Sequence, residues 1–198
     1  DADIVVGVPE SGNVAAMGYA MQAGIPYGTA FVKNSYVGRT FIKPKQSQRE
    51  SSVKIKLNVI EEVVKGKRIV MVDDSIVRGT QLRETTEFLY RNGAKEVHIR
   101  PACPPLLYGC KYLNFSRSKS EMDLITRRVI AKREGENVSD KVLADYADPN
   151  STNYKEMLEE IRKELNFTSL KFHRLDDLKA SIGISPCKLC TYCWDGKE

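Results

Sequence analysis

Short apolar segments alternate with amphipathic segments over the first 110 residues, and this alternation constrains the fold more than any other feature. The predicted strands are DIVVGVP (3–9), YGTAFV (27–32), KRIVMV (67–72) and EVHIRPA (96–102). The predicted helices are SGNVAAMGYAMQAG (11–24, opened by Ser11 or Asn13), ESSVKIKLNVIEEVVKG (50–66) and QLRETTEFLYRNGA (81–94). Such alternation predicts an α/β fold, with a parallel sheet flanked by helices and right-handed crossovers.

Composition excludes several classes of protein. The chain has 198 residues and is 41% hydrophobic, which suits one domain with an appended part. Its apolar runs are too short for a membrane span, and its net charge of +5 is dispersed among acidic residues rather than gathered into a nucleic-acid-binding stripe. Five cysteines without a secretory signal predict a reducing compartment, and we expect a cytoplasmic protein without membrane or nucleic-acid partners.

The pattern changes after the fourth predicted strand. Residues 1–115 read as a core, and residues 116–182 as a charge-rich, mostly helical extension packed on the core or inserted in it. Within the extension, ADPNST (147–152) has the composition of a linker between two helices. Residues 183–198 form a separate tail that carries three cysteines.

Two adjacent carboxylates, Asp73 and Asp74, follow a strand that reads as buried. Side chains of adjacent strand residues face opposite ways, so the pair suits a vicinal diol or hydrated Mg²⁺. The segment from Ser75 to Thr80 then offers hydroxyls and backbone N–H groups before a helix, with Gly79 permitting close approach, as phosphate-binding loops do. The alternative is that the carboxylates only cap the turn and the helix.

A long basic segment, residues 33–52, interrupts the alternation of strands and helices. Its basic residues are Lys33, Arg39, Lys43, Lys45 and Arg49. Long loops in compact domains are more often functional than idle, so we expect a functional role, with a solvated surface loop as the alternative.

Four motifs together resemble one family. VMVDDSIVRGTQ (70–81) resembles the phosphoribosyl pyrophosphate (PRPP) signature of type I phosphoribosyltransferases. With VGVPESGNVAAMGYA (6–20), KNSYVGRTFIKP (33–44) and VKIKLN (53–58), it is similar to the transferase domain of the glutamine PRPP amidotransferase family. The resemblance implies a type I phosphoribosyltransferase fold with a helical C-terminal extension.

The resemblance also implies roles for individual residues. Asp73 and Asp74 would contact the ribose hydroxyls and Mg²⁺, and Ser11 would join the metal site. The 5′-phosphate loop would comprise Ser75, Ile76, Val77, Arg78, Gly79 and Thr80. The pyrophosphate loop would comprise Glu10, Ser11 and Gly12. The catalytic residues of the loop that closes over PRPP would be Lys33, Tyr36 and Arg39.

The cysteines of the tail, Cys187, Cys190 and Cys193, have a C-x₂-C-x₂-C spacing that occurs in iron–sulfur and zinc sites. Unpaired surface thiols are the alternative. The resemblance implies a [4Fe–4S] cluster on Cys110, Cys187 and Cys190. For the fourth ligand we favour a residue upstream of the chain over Cys193 or Cys103, and loss of the cluster from this fragment is the further alternative.

The resemblance implies formation of 5-phosphoribosylamine and pyrophosphate from PRPP and ammonia, the first committed step of purine synthesis. In the family, an N-terminal glutaminase supplies the ammonia, purine nucleotides inhibit and the enzyme is a homo-oligomer. We expect this chain to be a fragment without the glutaminase, active only with free ammonia. The alternatives are a salvage phosphoribosyltransferase for purine or pyrimidine bases and a PRPP-sensing regulator without catalytic activity.

Overall fold

The computed structural model describes residues 1–33, 57–112 and 121–197. The chain forms two compact units. The first unit comprises Asp1–Asp73 and Glu84–His98, and the second comprises Asp74–Arg83 and Ile99–Glu198.

The strands are β1 (Ile4–Gly7), β2 (Phe31–Lys33), β3 (Leu57–Val59), β4 (Arg68–Asp73), β5 (Glu96–Pro101) and β6 (Ser169–Leu170). The α-helices of the described ranges are α1 (Ser11–Ala23), α2 (Glu61–Val64), α3 (Thr80–Arg91), α4 (Ile125–Glu134), α5 (Asp140–Ala147), α6 (Thr152–Glu164), α7 (Leu175–Ile182) and α8 (Tyr192–Asp195). Short 3₁₀ helices cover Glu121–Asp123 and Pro186–Lys188.

The first unit is built on a parallel pair of strands. β1 and β4 run in parallel, with Ile4 opposite Ile69 and Gly7 opposite Val72, and β4 neighbours the first half of β5. Helix α1 covers β1 and β4 with alanines, whose small side chains allow close packing on the sheet. The resulting core cluster consists of Val5, Ala16, Ala20, Val70 and Val72. The predicted α/β class is confirmed.

Helix α1 ends as predicted at Gly24, which adopts the left-handed conformation with a φ of 65°. It also begins at Ser11, where the predicted helix begins, but the residue at the N-cap differs from the prediction. The N-cap position is Glu10, and no side chain caps the first turn, so neither Ser11 nor Asn13 has that role.

The predicted helix over residues 50–66 is wrong for residues 57–59 and confirmed for residues 61–64. Leu57–Val59 is β3, which pairs antiparallel with β2, and only Glu61–Val64 is helical. Leu57 is buried, Asn58 is exposed and Val59 is half-buried, so the local alternation fits a strand. Pairing with Phe31–Lys33 therefore overrides the apolar spacing that suggested a helix. Residues 50–56 lie outside the described residues.

The second unit contains residues from all three predicted segments, 1–115, 116–182 and 183–198. The boundaries of these segments remain a prediction. Here the second half of β5 neighbours β6. Helices α4 and α6 pack through fully buried side chains, among them Ile130, Met157 and Ile161. The predicted helical character of the extension is confirmed for residues 121–182. Within the described parts of the chain, no helix combines the length and apolar character that a membrane span requires.

Candidate functional site

The loop after β1 lies against the end of β4. Val8 donates its N–H to the carbonyl oxygen of Val72 at 2.9 Å, which extends the parallel pairing beyond Gly7. A Cβ on Gly12 would lie 2.5 Å from that carbonyl oxygen and 3.1 Å from the Cα of Asp73. A glycine is therefore required at position 12, and the predicted pyrophosphate loop, Glu10–Gly12, directly neighbours the strand end that carries Asp73.

Lys33, at the end of β2, reaches the same loop. Its Nζ lies 3.4 Å from Oε1 of Glu10. Of the predicted catalytic residues, Lys33 thus neighbours the predicted pyrophosphate loop, whereas Tyr36 and Arg39 lie outside the described residues. A cation beside this loop suits an anionic leaving group.

Strand β4 brings the two carboxylates to its C-terminal end. The strand residues Ile69–Val72 are buried, Asp73 is half-buried and Asp74 is exposed. Ser75 donates its hydroxyl to Oδ1 of Asp74 at 2.8 Å, which orients that carboxylate. The transition from a buried strand to polar oxygens is what the sequence predicts for this position.

The predicted phosphate loop, Ser75–Thr80, runs from the carboxylates to the first residue of α3. Ile76 is buried and anchors the loop, while Arg78 and Thr80 are exposed. Gly79 has a φ of +80°, and a Cβ there would lie 2.8 Å from Cδ1 of Ile125 and 2.9 Å from Cδ2 of Leu165. The loop thus packs on the extension immediately before a helix N-terminus, where backbone N–H groups are available for an anion.

The extension also contacts this loop through polar groups that the sequence did not single out. Ile125 donates its N–H to the carbonyl oxygen of Val77 at 2.8 Å. Arg128 donates from Nη2 to the carbonyl oxygen of Arg78 at 2.9 Å, and Nη2 of Arg78 lies 3.1 Å from Oδ2 of Asp123. No sequence signal marks the contact of Ile125, because any residue with a backbone N–H can make it.

The cysteine tail folds back onto the segment before Cys110. The N–H groups of Leu107 and Tyr108 donate to the carbonyl oxygen of Cys193 at 2.9 and 3.1 Å. The rings of Tyr108 and Tyr192 lie 5.4 Å apart between centroids. These contacts bring the end of the tail close to residues 107–110.

The thiol of Cys193 interacts with two other cysteines. The pKa of Cys193 is raised to about 11, mainly by burial and also by the neighbouring thiols of Cys110 and Cys190. Cys187 is exposed, and its Sγ lies 3.1 Å from Oγ of Ser185. None of the five cysteines, all of which lie within the described residues, forms a disulfide. The described residues contain no His, Cys, Asp and Glu group of three or more in a metal-binding arrangement.

Known proteins resemble this chain over its whole length. The amidophosphoribosyltransferase of Mycobacterium bovis is 40% identical over 198 residues, which is 100% of this chain and 33% of the relative. The enzyme of that name from Bacillus subtilis is 38% identical over 201 residues, covering 100% of this chain and 36% of the relative. The chain therefore spans about a third of the length of these relatives.

A solved structure gives the same match. The glutamine PRPP amidotransferase from B. subtilis, complexed with ADP and GMP, superimposes with a TM-score of 0.73 and 39% identity, over 100% of this chain and 38% of that chain. The resemblance inferred from the motifs is confirmed. Residues 1–103 also match the family model of the phosphoribosyl transferase domain. This match covers more than half of the chain, and the chain therefore belongs to the phosphoribosyl transferase domain family.

Proposed function

We propose that this chain is the transferase part of an amidophosphoribosyltransferase. It transfers the phosphoribosyl group of PRPP to ammonia, giving 5-phosphoribosylamine and pyrophosphate, the first committed step of purine synthesis. The observation that carries the proposal is the contact of the Glu10–Gly12 loop with the end of β4, since it brings the predicted pyrophosphate loop next to Asp73, a predicted ribose-binding carboxylate. The match to amidophosphoribosyltransferases over the full chain supports it.

In this mechanism the protein binds and orients PRPP, and no side chain acts as a nucleophile. Asp73 and Asp74 hold the ribose hydroxyls, the loop Ser75–Thr80 binds the 5′-phosphate, and Glu10–Gly12 bind the pyrophosphate. Ammonia attacks C1′, the bond from C1′ to the pyrophosphate oxygen breaks, and the new C–N bond forms as the ammonium loses a proton. Lys33, Tyr36 and Arg39 stabilise the departing negative charge.

The oxygen donors near the end of β4 fit Mg²⁺. Carboxylates and hydroxyls are the ligands that Mg²⁺ prefers, and Ser11 precedes the Gly12 backbone that packs against Asp73. Ser11, Asp73 and Asp74 would hold the ion. Bound there, Mg²⁺ would neutralise charge on the pyrophosphate.

The donor set of the tail fits an iron–sulfur cluster, because thiolates are its usual ligands. The family resemblance implies Cys110, Cys187 and Cys190 as ligands. The interaction of Cys193 with Cys110 and Cys190 favours Cys193 over Cys187, and we place the fourth ligand upstream of this chain. A cluster would tie the tail to the segment at Cys110.

Paired variants test the ligand set. We expect Cys193→Ser to lose iron, sulfide and visible absorbance in the anaerobically purified full-length protein, while Cys187→Ser retains them. Loss in Cys187→Ser alone would restore the sequence prediction. Absence of iron and sulfide in the wild-type protein would refute the cluster.

The whole protein would include an N-terminal glutaminase domain that supplies ammonia from glutamine. We further propose inhibition by purine nucleotides, homo-oligomerisation and a cytoplasmic location. The solved structure of the B. subtilis relative is a complex with ADP and GMP.

An assay of nucleophiles tests the function. The full-length protein, incubated with PRPP and Mg²⁺, should release pyrophosphate when ammonia is added and should form 5-phosphoribosylamine. Release that depends on a purine or pyrimidine base instead would indicate a salvage phosphoribosyltransferase. PRPP binding without pyrophosphate release under either condition would indicate a regulator.

A further inference from the structure

The extension holds the loop Ser75–Thr80 at two consecutive carbonyl groups. The N–H of Ile125, at the start of α4, binds the carbonyl oxygen of Val77, and the guanidinium of Arg128 binds that of Arg78. All four residues belong to the second unit. Two fixed carbonyls in succession fix the orientation of the peptide groups that contain them.

Peptide geometry determines where the neighbouring N–H groups point. A peptide group is planar and trans, so its C=O and the N–H of the next residue point in opposite directions. With the carbonyls of Val77 and Arg78 bound to α4, the N–H groups of Arg78 and Gly79 point away from it. Among the backbone–backbone hydrogen bonds of the described residues, none is donated by either of these N–H groups. Adjacent N–H groups before a helix are the donors that phosphate uses.

The side chain of Arg128 is itself held in place. Nη1 donates to the carbonyl oxygen of Asp123 at 3.2 Å, and Nη2 lies 3.7 Å from Oε1 of Glu164 on α6. The carboxylate of Asp123 also binds the side chain of Arg78. Arg128 therefore presents a guanidinium of fixed direction to the loop.

We propose that Arg128 is a positioning residue for the 5′-phosphate. It acts through the peptide group between Arg78 and Gly79, whose N–H it turns toward the phosphate, and does not itself contact the substrate. This gives the extension a role in the transferase site. The proposal rests on the proposed function, because it takes Ser75–Thr80 as the phosphate loop.

The test compares two probes that report on different loops of the full-length protein. Ribose 5-phosphate reports on Ser75–Thr80, and Mg²⁺-pyrophosphate reports on Glu10–Gly12. In calorimetric titrations, Arg128→Gln should raise the Kd for ribose 5-phosphate about tenfold, the effect of losing one charge-assisted hydrogen bond, and leave the Kd for pyrophosphate within about twofold. The KM for PRPP should rise more than kcat falls. Arg128→Lys keeps the charge and one donor, so its Kd for ribose 5-phosphate should lie between those of the wild type and Arg128→Gln.

Lys132→Gln is the matched control. Lys132 lies on the same helix and binds Oε2 of Glu164 at 2.8 Å, so its removal disturbs the same carboxylate. The described contacts of Lys132 do not include the loop. We expect wild-type affinity for both probes.

Three outcomes would overturn the proposal. The first is that Arg128→Gln binds ribose 5-phosphate as tightly as the wild type does. The second is that Lys132→Gln loses as much affinity for ribose 5-phosphate as Arg128→Gln does, which would attribute the loss to helix packing. A wild-type protein that binds neither ribose 5-phosphate nor PRPP would refute the proposed function, and the inference with it. If circular dichroism shows that Arg128→Gln does not fold, Arg128→Lys is used for the test instead. We expect its Kd for ribose 5-phosphate to rise about threefold, and wild-type affinity would contradict the proposal.

Discussion

The two loops that we assign to the two ends of PRPP follow neighbouring parallel strands, yet they are supported in different ways. The Glu10–Gly12 loop packs against the backbone of β4, within the sheet that produces it. The Ser75–Thr80 loop packs against α4 and Leu165, which come much later in the chain. A strand-end loop can thus be fixed by its own sheet or by an appended segment, and in the second case binding depends on residues far from the motif.

The strand end between the two loops should give the largest effect. Replacing Asp73 and Asp74 together by asparagine removes the charges that hold the ribose and Mg²⁺, and we expect kcat/KM for PRPP to fall about a hundredfold or more. Thermal unfolding should stay unchanged, as it should for Asp177→Asn, an exposed control on α7. Wild-type turnover in the double variant would show that the two carboxylates do not belong to the site. The two loops would then have no common ligand-binding residues between them.

Gly12→Ala tests the loop supported by the sheet. The added methyl group would meet the carbonyl oxygen of Val72 at 2.5 Å, and a backbone oxygen in a parallel pair of strands cannot easily move. We expect the free energy of unfolding to fall by about 2 kcal/mol. The variant should lose more affinity for pyrophosphate than for ribose 5-phosphate, each compared with the wild type. Urea unfolding and titration with both ligands measure these effects. Gly18→Ala is the control, since a Cβ at Gly18 meets no atom within 4 Å.

Gly79→Ala tests the loop supported by the extension. The new Cβ would approach only the ends of the Ile125 and Leu165 side chains, which can adjust, but the φ of +80° disfavours alanine. We expect a loss of about 1 kcal/mol in the free energy of unfolding, with the binding defect confined to ribose 5-phosphate. Gly66→Ala has a similar φ of +74° and no atom within 4 Å, so it isolates the backbone cost. Equal losses of both ligands would break the distinction between the loops.

The smallest effect is expected at the acidic residue behind Arg128. A hydrogen bond from Lys132 lowers the pKa of Glu164, and the charge of Arg128 contributes. Because the folded pKa lies below the unfolded one, this stabilisation is complete above the ordinary value of 4.5 and is lost as pH falls through the folded pKa.

Glu164→Gln should therefore unfold more easily at neutral pH by roughly 0.5 kcal/mol, the typical contribution of an exposed ion pair. The difference from the wild type should be smaller at pH about 3 than at neutral pH, because the wild-type carboxylate takes up protons as the pH falls through its lowered pKa. Urea unfolding at the two pH values measures it, with Glu136→Gln as an exposed control. A difference that persists in acid would assign the effect to packing.

The sequence predicts the Ser75–Thr80 loop from local signals, but it does not predict the contacts that support this loop. A buried strand followed by Asp73 and Asp74, and then hydroxyls and Gly79 before a helix, can be recognised in the sequence. The contacts of Ile125 and Arg128 leave no such signal, since one uses a backbone N–H and the other an arginine among many charged residues. Contacts between residues so far apart in the sequence can be identified only from the folded structure.

Two other differences have similar causes. The spacing of Leu57 and Ile60 suits a helix, and only the pairing of Leu57–Val59 with β2 makes the segment a strand. In the tail, Cys187, Cys190 and Cys193 are equally spaced, so spacing cannot select two of them. Packing of the tail on Leu107 and Tyr108 brings Cys193 toward Cys110, and this contact is the reason that we propose Cys193 as a ligand.

The hydrogen bond from Ile125 to Val77 has a consequence for exchanging parts between relatives. Because the donor is a main-chain N–H, nineteen of the twenty amino acids can supply it, and proline is the exception. Sequence divergence at the start of α4 therefore leaves the bond intact, whereas shifting the helix by one residue along its axis, by about 1.5 Å, would misplace the donor. A chimera that takes its extension from a relative should be aligned on the first turn of α4, even where no side chain matches.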